Sequence, residues 1–392
     1  EETLEIEETI WGPVVDTDHQ GRKRAARWVA YDPEGINMGL SLLSRASTVE
    51  EALEIAASCG LPAQNLTVAD REGNIGWTII GPIPRRTGYS GLFPASWASG
   101  ECRWDGFLDP GEYPRIINPP GGRIWTANAR VVSGEKLEKV GFGGYALGPR
   151  ARQIRDDLLA LGRASEKDLL GVQLDYRAVF LSRWRDLILE EVLKPAKIEG
   201  NLRLREVREM VEDWGGKASP DSAGYRYVRQ FRNILAQRVF DAITARCLEA
   251  DPRFNYYQIR RDDGPLWKLD REQPLHLLPA EFADWDALML DAMEQLVREA
   301  EDSPEVRSGA GLAGWTWGAR NTAAIRHPLS PFLPVSFLAR FLDAPPDLLP
   351  GDSRMPRAQG PAFGASERMV VSPGLEEQGI FHMPGGQSGH PL

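Results

Sequence analysis

The sequence has 392 residues and a formal net charge of −10 at pH 7, and 42% of its residues are hydrophobic. This length allows several domains or one large α/β or α+β enzyme unit, and the apolar content supports a sizeable core. The acidic charge argues against nucleic acid and membrane surfaces as partners, because both attract basic faces, and no apolar run approaches the roughly 18 residues of a membrane-spanning helix.

The first part of the chain is predicted to form short strands with one helix between them. Residues 3–15 alternate and end in a Trp-Gly-Pro turn, and residues 27–31 predict another strand. The sequence Ser-Thr-Val-Glu at 47–50 predicts a capping box at the start of a helix. An apolar stripe along this helix ends at Cys59, which we expect to be a buried thiol.

Residues 64–86 predict a β-hairpin with polar side chains at both ends. Two runs of strand-forming residues, 66–69 and 75–80, flank a tight polar turn. Asn65 stands at the entry, and Arg85 and Arg86 stand at the exit. An amide and a guanidinium beside a sheet edge can bind an oxyanion and a carboxylate. The residues alone fit equally well with an ordinary turn asparagine and a solvated basic pair.

The chain then becomes helical after one more predicted strand, at residues 123–127. Helical patterns follow at residues 149–161, 179–193, 203–214, 225–250 and 279–300. This order predicts one interlaced α+β unit: a β-rich part at residues 1–148, a mainly helical insertion at 149–311, and a loop-rich β part at 312–392.

Two glycine-rich motifs match known site signatures only weakly. Residues 141–146 fit the loose dinucleotide-binding fingerprint, but residues 136–140 make a poor buried strand, so we interpret the motif as a plain loop. Residues 386–390 lack the last glycine of a nucleophile elbow and have no histidine after them, which favours a structural turn. Three cysteines without CxxC spacing and five scattered histidines predict neither a redox pair nor a metal centre.

Five separate segments carry a family likeness: the Thr-Ile-Trp-Gly-Pro-Val run at 9–14, the hairpin at 64–86, residues 118–128, residues 148–154, and the Gly-Gln-Ser-Gly turn at 386–389. In this order they resemble the penicillin acylase (penicillin amidase) family of N-terminal nucleophile hydrolases. The likeness spans essentially the whole chain. It implies an αββα sandwich, here incomplete and carrying a helical insertion.

The resemblance also implies a reaction and a role for two residues. Enzymes of this family cut themselves and expose a serine, sometimes a threonine or cysteine, at the start of the β-subunit. Its hydroxyl attacks an amide while its own α-amine acts as the base. A backbone N–H and an asparagine side chain bind the resulting oxyanion, and Asn65 matches that asparagine. Arg86 matches an arginine that orients the nucleophile and the substrate.

The sequence departs from the family pattern at its start. Position 1 is Glu, whose carboxylate cannot act as the nucleophilic hydroxyl, and exposing Thr3 instead is disfavoured by the surrounding charge. We therefore expect a C-terminal part of the β-subunit that is inactive alone, with its serine upstream. Its partners would be the missing N-terminal segment or α-subunit of the same precursor and a small-molecule acyl amide.

Several further expectations follow from the resemblance. Penicillin-type side-chain amides and N-acyl homoserine lactones are both plausible substrates, and a non-catalytic scaffold or binding module that lacks the nucleophile is the alternative from another class. No cofactor is required. A structural calcium is expected only in the full-length protein, since its family ligands lie largely upstream. The family location is periplasmic or secreted, although this segment contains no signal peptide.

Overall fold

The computed structural model describes residues 3–141, 144–256, 262–333 and 336–382, and it divides the chain into two compact units. The first unit comprises residues 1–151 and 373–376, and the second comprises residues 152–372 and 377–392. Described strands predominate in the first and described helices in the second. This mixture of helix and sheet confirms the α+β class, while the αββα layering and the three-segment division stay predictions.

Short antiparallel strands and two helices build the first unit. They are β1 (Glu8–Thr9), β2 (Gly12–Thr17), β3 (Lys23–Ala25), α1 (Val49–Ser58), β4 (Gln64–Ala69), β5 (Ile75–Ile80), β6 (Pro84–Thr87), β7 (Arg103–Phe107), β8 (Ile116–Ile117) and α2 (Gly134–Val140). The strands form three small sheets with the orders β1-β2-β3, β4-β5-β8 and β6-β7. β4 is an edge strand and is mostly exposed, whereas β5 is almost wholly buried.

The predicted hairpin is confirmed as β4 and β5. Its register runs from Gln64 opposite Ile80 to Ala69 opposite Ile75. The Asp70 carboxylate holds the turn, because it accepts hydrogen bonds from the backbone N–H groups of Glu72 and Asn74, both at 3.0 Å. A short local turn therefore sets which residues face each other across the two strands.

α1 covers β5, and its start corrects the predicted cap by one residue. The Thr48 side chain accepts from the Glu51 backbone, and Glu51 completes the capping box. Ser47 and Thr48 are each followed by a glutamate three residues later, so spacing alone fits both pairs. The predicted buried thiol is confirmed, since Cys59 ends this helix and is 1% exposed.

Two predicted strands are wrong. β3 ends at Ala25, and Val29–Tyr31 form a single helical turn instead of part of a strand at 27–31. Pro33 begins a second such turn directly afterwards, which stops the chain from extending. Residues 123–127 join no described sheet. The Ala127 carbonyl instead accepts a hydrogen bond from the Asn65 side chain. The local sequence predicted a strand here, but no neighbouring strand pairs with it in the described part of the chain.

Helices dominate the chain from Pro149 onward. They are α3 (Pro149–Ala160), α4 (Glu166–Gln173), α5 (Ser182–Leu187), α6 (Pro195–Ile198), α7 (Leu202–Glu212), α8 (Ala223–Ala250), α9 (Asp263–Glu272), α10 (Trp285–Glu301) and α11 (Trp317–Arg320). Two short strands, β9 (Arg368–Val370) and β10 (Ile380–His382), pair antiparallel. None of the described helices combines the length and apolar character that a membrane crossing requires.

The core of the second unit lies between α7, α8 and α10. Trp184, Phe231 and Leu296 are among its side chains with no solvent exposure. The helix predicted at 279–300 begins only at Trp285, because Asp284 caps it by accepting from the Ala287 backbone at 2.7 Å. The capping residue therefore determines where α10 begins, whereas the spacing of the apolar residues alone placed the start too early.

Candidate functional site

A cavity of about 420 Å³ lies beside the hairpin, within the first unit. Its apolar wall includes residues from β5, α2 and the chain before α2, among them Ile79, Ile83, Val131, Val132, Leu137 and Val140. Its polar lining includes Asn65, Arg27, Arg86 and Tyr145. An apolar hollow with a few polar groups is the usual form of a small-molecule site.

Asn65 reaches this cavity from the exposed edge strand β4. Its Oδ1 accepts a hydrogen bond from Trp77 Nε1 at 3.0 Å, and its Nδ2 donates to the Ala127 carbonyl at 3.4 Å. The second bond is long, so it holds the N–H₂ group only weakly. Asn65 therefore presents a neutral donor at the cavity wall.

Arg86 reaches the cavity from β6 and contacts the end of α2. Its two Nη atoms donate to the carbonyls of Lys139 at 3.2 Å and Val140 at 3.4 Å. These are among the last carbonyls of the helix, which carry its negative dipole end and attract a cation. Burial lowers the pKa of Arg86 below its ordinary value, yet a guanidinium stays charged in proteins.

Gly141 makes room for this guanidinium. The residue has φ +94°, and a Cβ placed on it would lie 2.8 Å from three guanidinium atoms of Arg86. A glycine is needed here for both the backbone angle and the close approach. Within the described part of the chain Arg86 makes no ion pair with a carboxylate, so its charge is available to an anionic group in the cavity.

Arg85 forms an ion pair outside the cavity. Its guanidinium binds Glu112 through two hydrogen bonds of 3.0 and 2.6 Å, and it does not line the cavity. The Arg85 hydrogen bond holds the pKa of Glu112 at about 2. Successive side chains of a strand point to opposite faces, which separates these neighbouring arginines into a structural ion pair and a cavity residue.

Aromatic rings and a paired arginine complete another wall of the cavity. The Arg27 guanidinium lies 5.2 Å from the centre of the Trp104 ring and donates to both oxygens of Asp32, at 2.8 and 2.6 Å. Because Arg27 already has a carboxylate partner, it contributes less net positive charge than Arg86. Burial also raises the pKa of Tyr145 above its ordinary value, so this phenol stays neutral and polar.

The structure brings the two predicted site residues, Asn65 and Arg86, to one cavity; their catalytic roles stay predictions. The sequence interpretation missed Trp77, Arg27 and Trp104. The predicted hairpin contained a signal that Trp77 lies next to Asn65. If residue 69 pairs with residue 75, residue 67 pairs with residue 77, and residues 65 and 77 are then diagonal neighbours on one face of the sheet.

Neither weak motif forms the kind of site that its pattern matches, although Gly141 and Tyr145 of the first motif lie at this cavity. The segment before residues 141–146 is the helix α2 and not the strand that a dinucleotide site needs, which supports the loop interpretation; residues 142 and 143 lie outside the described residues. Residues 386–390 lie wholly outside the described part. Across the described ranges, no group of three or more His, Cys, Asp or Glu side chains could hold a metal ion. The expectations on cofactors and calcium stay untested.

Comparisons with known proteins agree on one family. A family model described as penicillin amidase matches residues 1–392. The penicillin acylase 2 proenzyme of Pseudomonas sp. (strain SE83) is 26% identical over 405 residues, which cover 99% of this chain and 49% of that relative. The acyl-homoserine lactone acylase QuiP of Pseudomonas aeruginosa PAO1 is 23% identical over 436 residues, which cover 98% of this chain and 50% of that relative. The chain thus spans about half the length of these curated relatives.

A solved structure shows a similar fold. The thermostable penicillin G acylase from Alcaligenes faecalis superposes with a TM-score of 0.57 at 18% sequence identity. The match covers 79% of this chain and 59% of that chain. At this identity the likeness concerns the fold alone.

Proposed function

Because this chain belongs to the penicillin amidase family, we propose that it supplies part of the active site of an amide hydrolase that removes an acyl group from a small-molecule amide. The cavity beside Asn65 and Arg86 carries this proposal. It combines an apolar wall for an acyl chain with a neutral donor, Asn65, and a cation, Arg86, that has no carboxylate partner among the described residues.

The nucleophile in this proposal is an N-terminal serine that lies upstream of the 392 residues and is exposed by self-cleavage of a precursor. Its α-amine takes the hydroxyl proton as the oxygen attacks the amide carbon. The carbonyl oxygen then carries the negative charge, and Asn65 Nδ2 donates to it. A neutral amide suits this task because it gains strength as charge develops and binds the uncharged substrate only weakly.

The partner in this proposal is the remaining part of the same precursor. That part would cover the exposed edge of β4, complete the αββα sandwich and carry any structural calcium, and no cofactor takes part in the reaction. Unpaired strand edges favour such association. We further propose a periplasmic or secreted location, which fractionation of cells that make the full-length protein would test.

A second candidate substrate class is the N-acyl homoserine lactones. The observation that favours it is the set of relatives named acyl-homoserine lactone acylases. The two substrate classes differ in the amine part of the molecule, where a penicillin carries a carboxylate on its bicyclic nucleus and a homoserine lactone carries no charge. A non-catalytic scaffold remains the alternative from another class. The coding sequence upstream of Glu1 distinguishes these alternatives. A small residue followed by serine there would support an enzyme over a non-catalytic scaffold.

The isolated 392-residue chain is expected to hydrolyse no amide. The proposal places its nucleophile and the α-amine base in the preceding part of the protein. The check compares the pure chain with the matured full-length protein by chromatographic detection of the free acid, using phenylacetyl and acyl-homoserine lactone substrates. Turnover by the chain above the buffer rate would refute the assignment of the nucleophile.

Arg86→Ala in the full-length protein is expected to lower kcat/KM by about 10-fold or more, and by more for a substrate with a carboxylate in its amine part. A charged hydrogen bond contributes about 1.5–3 kcal/mol, and the Arg86 charge has no carboxylate partner among the described residues. Arg85→Ala is the matched control, because Arg85 pairs with Glu112 outside the cavity. Equal losses in the two variants would show that Arg86 acts only through stability.

A further inference from the structure

The Asn65 side chain is held on one side by a buried indole. Trp77 is 1% exposed, and its Nε1 donates to Asn65 Oδ1 at 3.0 Å. The hairpin register places Thr67 opposite Trp77 and Ile79 opposite Asn65. Asn65 and Trp77 are therefore diagonal neighbours on one sheet face, which is within reach of a large aromatic side chain.

This contact selects one orientation of the amide. An indole nitrogen is a donor only, so it needs the Asn65 oxygen and not its N–H₂ group. The Ala127 carbonyl, on the other side, is an acceptor and needs the N–H₂ group, which it contacts at 3.4 Å. Rotation of the amide by half a turn would place two donors together at Trp77 and two oxygens together at Ala127.

We propose that Trp77 is a positioning residue for amide hydrolysis, whose indole N–H fixes the Asn65 amide with its N–H₂ group toward the cavity. The inference rests on the proposed function, because it concerns the donor that this function assigns to Asn65. Donors stabilise an oxyanion most when they are oriented before the reaction starts, and a buried ring on a regular strand is a rigid support.

The two N–H bonds of Asn65 Nδ2 then have separate tasks. One contacts the Ala127 carbonyl through the long bond, which limits rotation of the amide. The other has no acceptor among the described residues and is directed to the reacting oxygen. Trp77 also lines the cavity, but its indole N–H is bound to Asn65 Oδ1 and so touches neither the substrate nor the reacting atoms, which means that the N–H acts only through Asn65.

The test uses the matured full-length protein and steady-state kinetics with a phenylacetyl amide. Trp77→Phe removes the N–H and is expected to lower kcat about 10-fold, with KM within about twofold. A second variant carries 3-benzothienylalanine at position 77, which keeps the bicyclic shape and replaces N–H by sulfur. It is expected to show the same loss even if Trp77→Phe folds poorly. Leu108→Ala is the matched control, since Leu108 belongs to the same apolar cluster but does not line the cavity.

A double-mutant cycle with Asn65→Ala separates positioning from stability. In the Asn65→Ala background, removing the Trp77 N–H is expected to change kcat by less than about twofold. If the Trp77 variants lose no more than Leu108→Ala, or if their loss persists without Asn65, the positioning role is wrong while the proposed function stands. If Asn65→Ala itself keeps parental kcat, both the oxyanion role and this inference are overturned.

Discussion

Asn65→Ala in the matured full-length protein is expected to lower kcat by about 10²–10³ with a smaller change in KM. The loss of one oxyanion donor typically has this effect, because the donor acts on charge that develops only in the transition state. The geometry supports the assignment: the amide lines the cavity, its oxygen accepts from Trp77, and within the described residues its N–H₂ group makes a single hydrogen bond, of 3.4 Å.

Two further variants separate this chemical role from a structural one. Asn65→Ala also leaves the buried Trp77 N–H without its acceptor, which costs stability. Asn65→Asp keeps an acceptor for Trp77 but replaces the donor with a negative charge, so it is expected to lose at least as much kcat with a smaller loss of stability. Thr67→Ala, two residues along the same strand and outside the cavity lining, is expected to keep parental kcat. Parental kcat in a correctly processed Asn65→Ala enzyme would show that Asn65 is only a structural residue of β4.

Asp270→Asn is expected to stabilise the protein by up to about 4 kcal/mol at pH 8 and by less, about 1.6 kcal/mol, at pH 5. Asp270 lies in α9 with no solvent exposure, and neither carboxylate oxygen has a hydrogen-bond partner within the described residues. Burial, and then the charge of Glu191, raise the pKa of Asp270 from 3.8 to about 7, while Arg271 opposes this.

The free energy of unfolding depends on pH because folded Asp270 retains a proton that the unfolded chain releases. Between pH 4 and pH 7 folded Asp270 holds its proton while the unfolded chain has released it, so the stability of the parent protein falls as pH rises through this window. The Asn variant has no such proton and is expected to lack this slope. Glu272→Gln is the control, because Glu272 is exposed on the same helix and its ion pair with Lys268 contributes little. The measurement is the free energy of unfolding in urea at pH 5 and pH 8. If the difference in this free energy between the parent and the Asn variant is the same at both pH values, Asp270 is solvated or paired.

Local signals predicted the hairpin well. A polar turn lies between two runs of strand-forming residues, and β4 and β5 lie within two residues of their predicted bounds. The capping box at the start of α4 is likewise formed by two near neighbours in the sequence, Ser165 and Asp168. In these elements the residues that decide the structure are neighbours in the sequence, and a short-range pattern contains the whole physical cause.

The site was harder to predict because its partners are distant in sequence. Arg86 contacts carbonyls more than 50 residues away, and the distinction between Arg85 and Arg86 depends on Glu112. The strand predicted at 123–127 failed for the same reason, since no long-range partner secured a ladder for it. Composition also gave no sign that Asp270 would be buried without a hydrogen bond, because burial is set by tertiary packing.

If Asn65 is the oxyanion donor of an amide hydrolase, it should contribute to the binding of a transition-state analogue. In the matured full-length protein, a phenylacetyl-type boronic acid is expected to form a tetrahedral adduct with the proposed serine nucleophile, whereas phenylacetate is expected to occupy the acyl pocket without forming this adduct. Asn65→Ala is expected to weaken boronate inhibition by about 10²–10³, in step with its loss of kcat/KM, and to leave phenylacetate inhibition within about twofold. Equal weakening of both inhibitors, or of neither, would show that Asn65 is not the oxyanion donor.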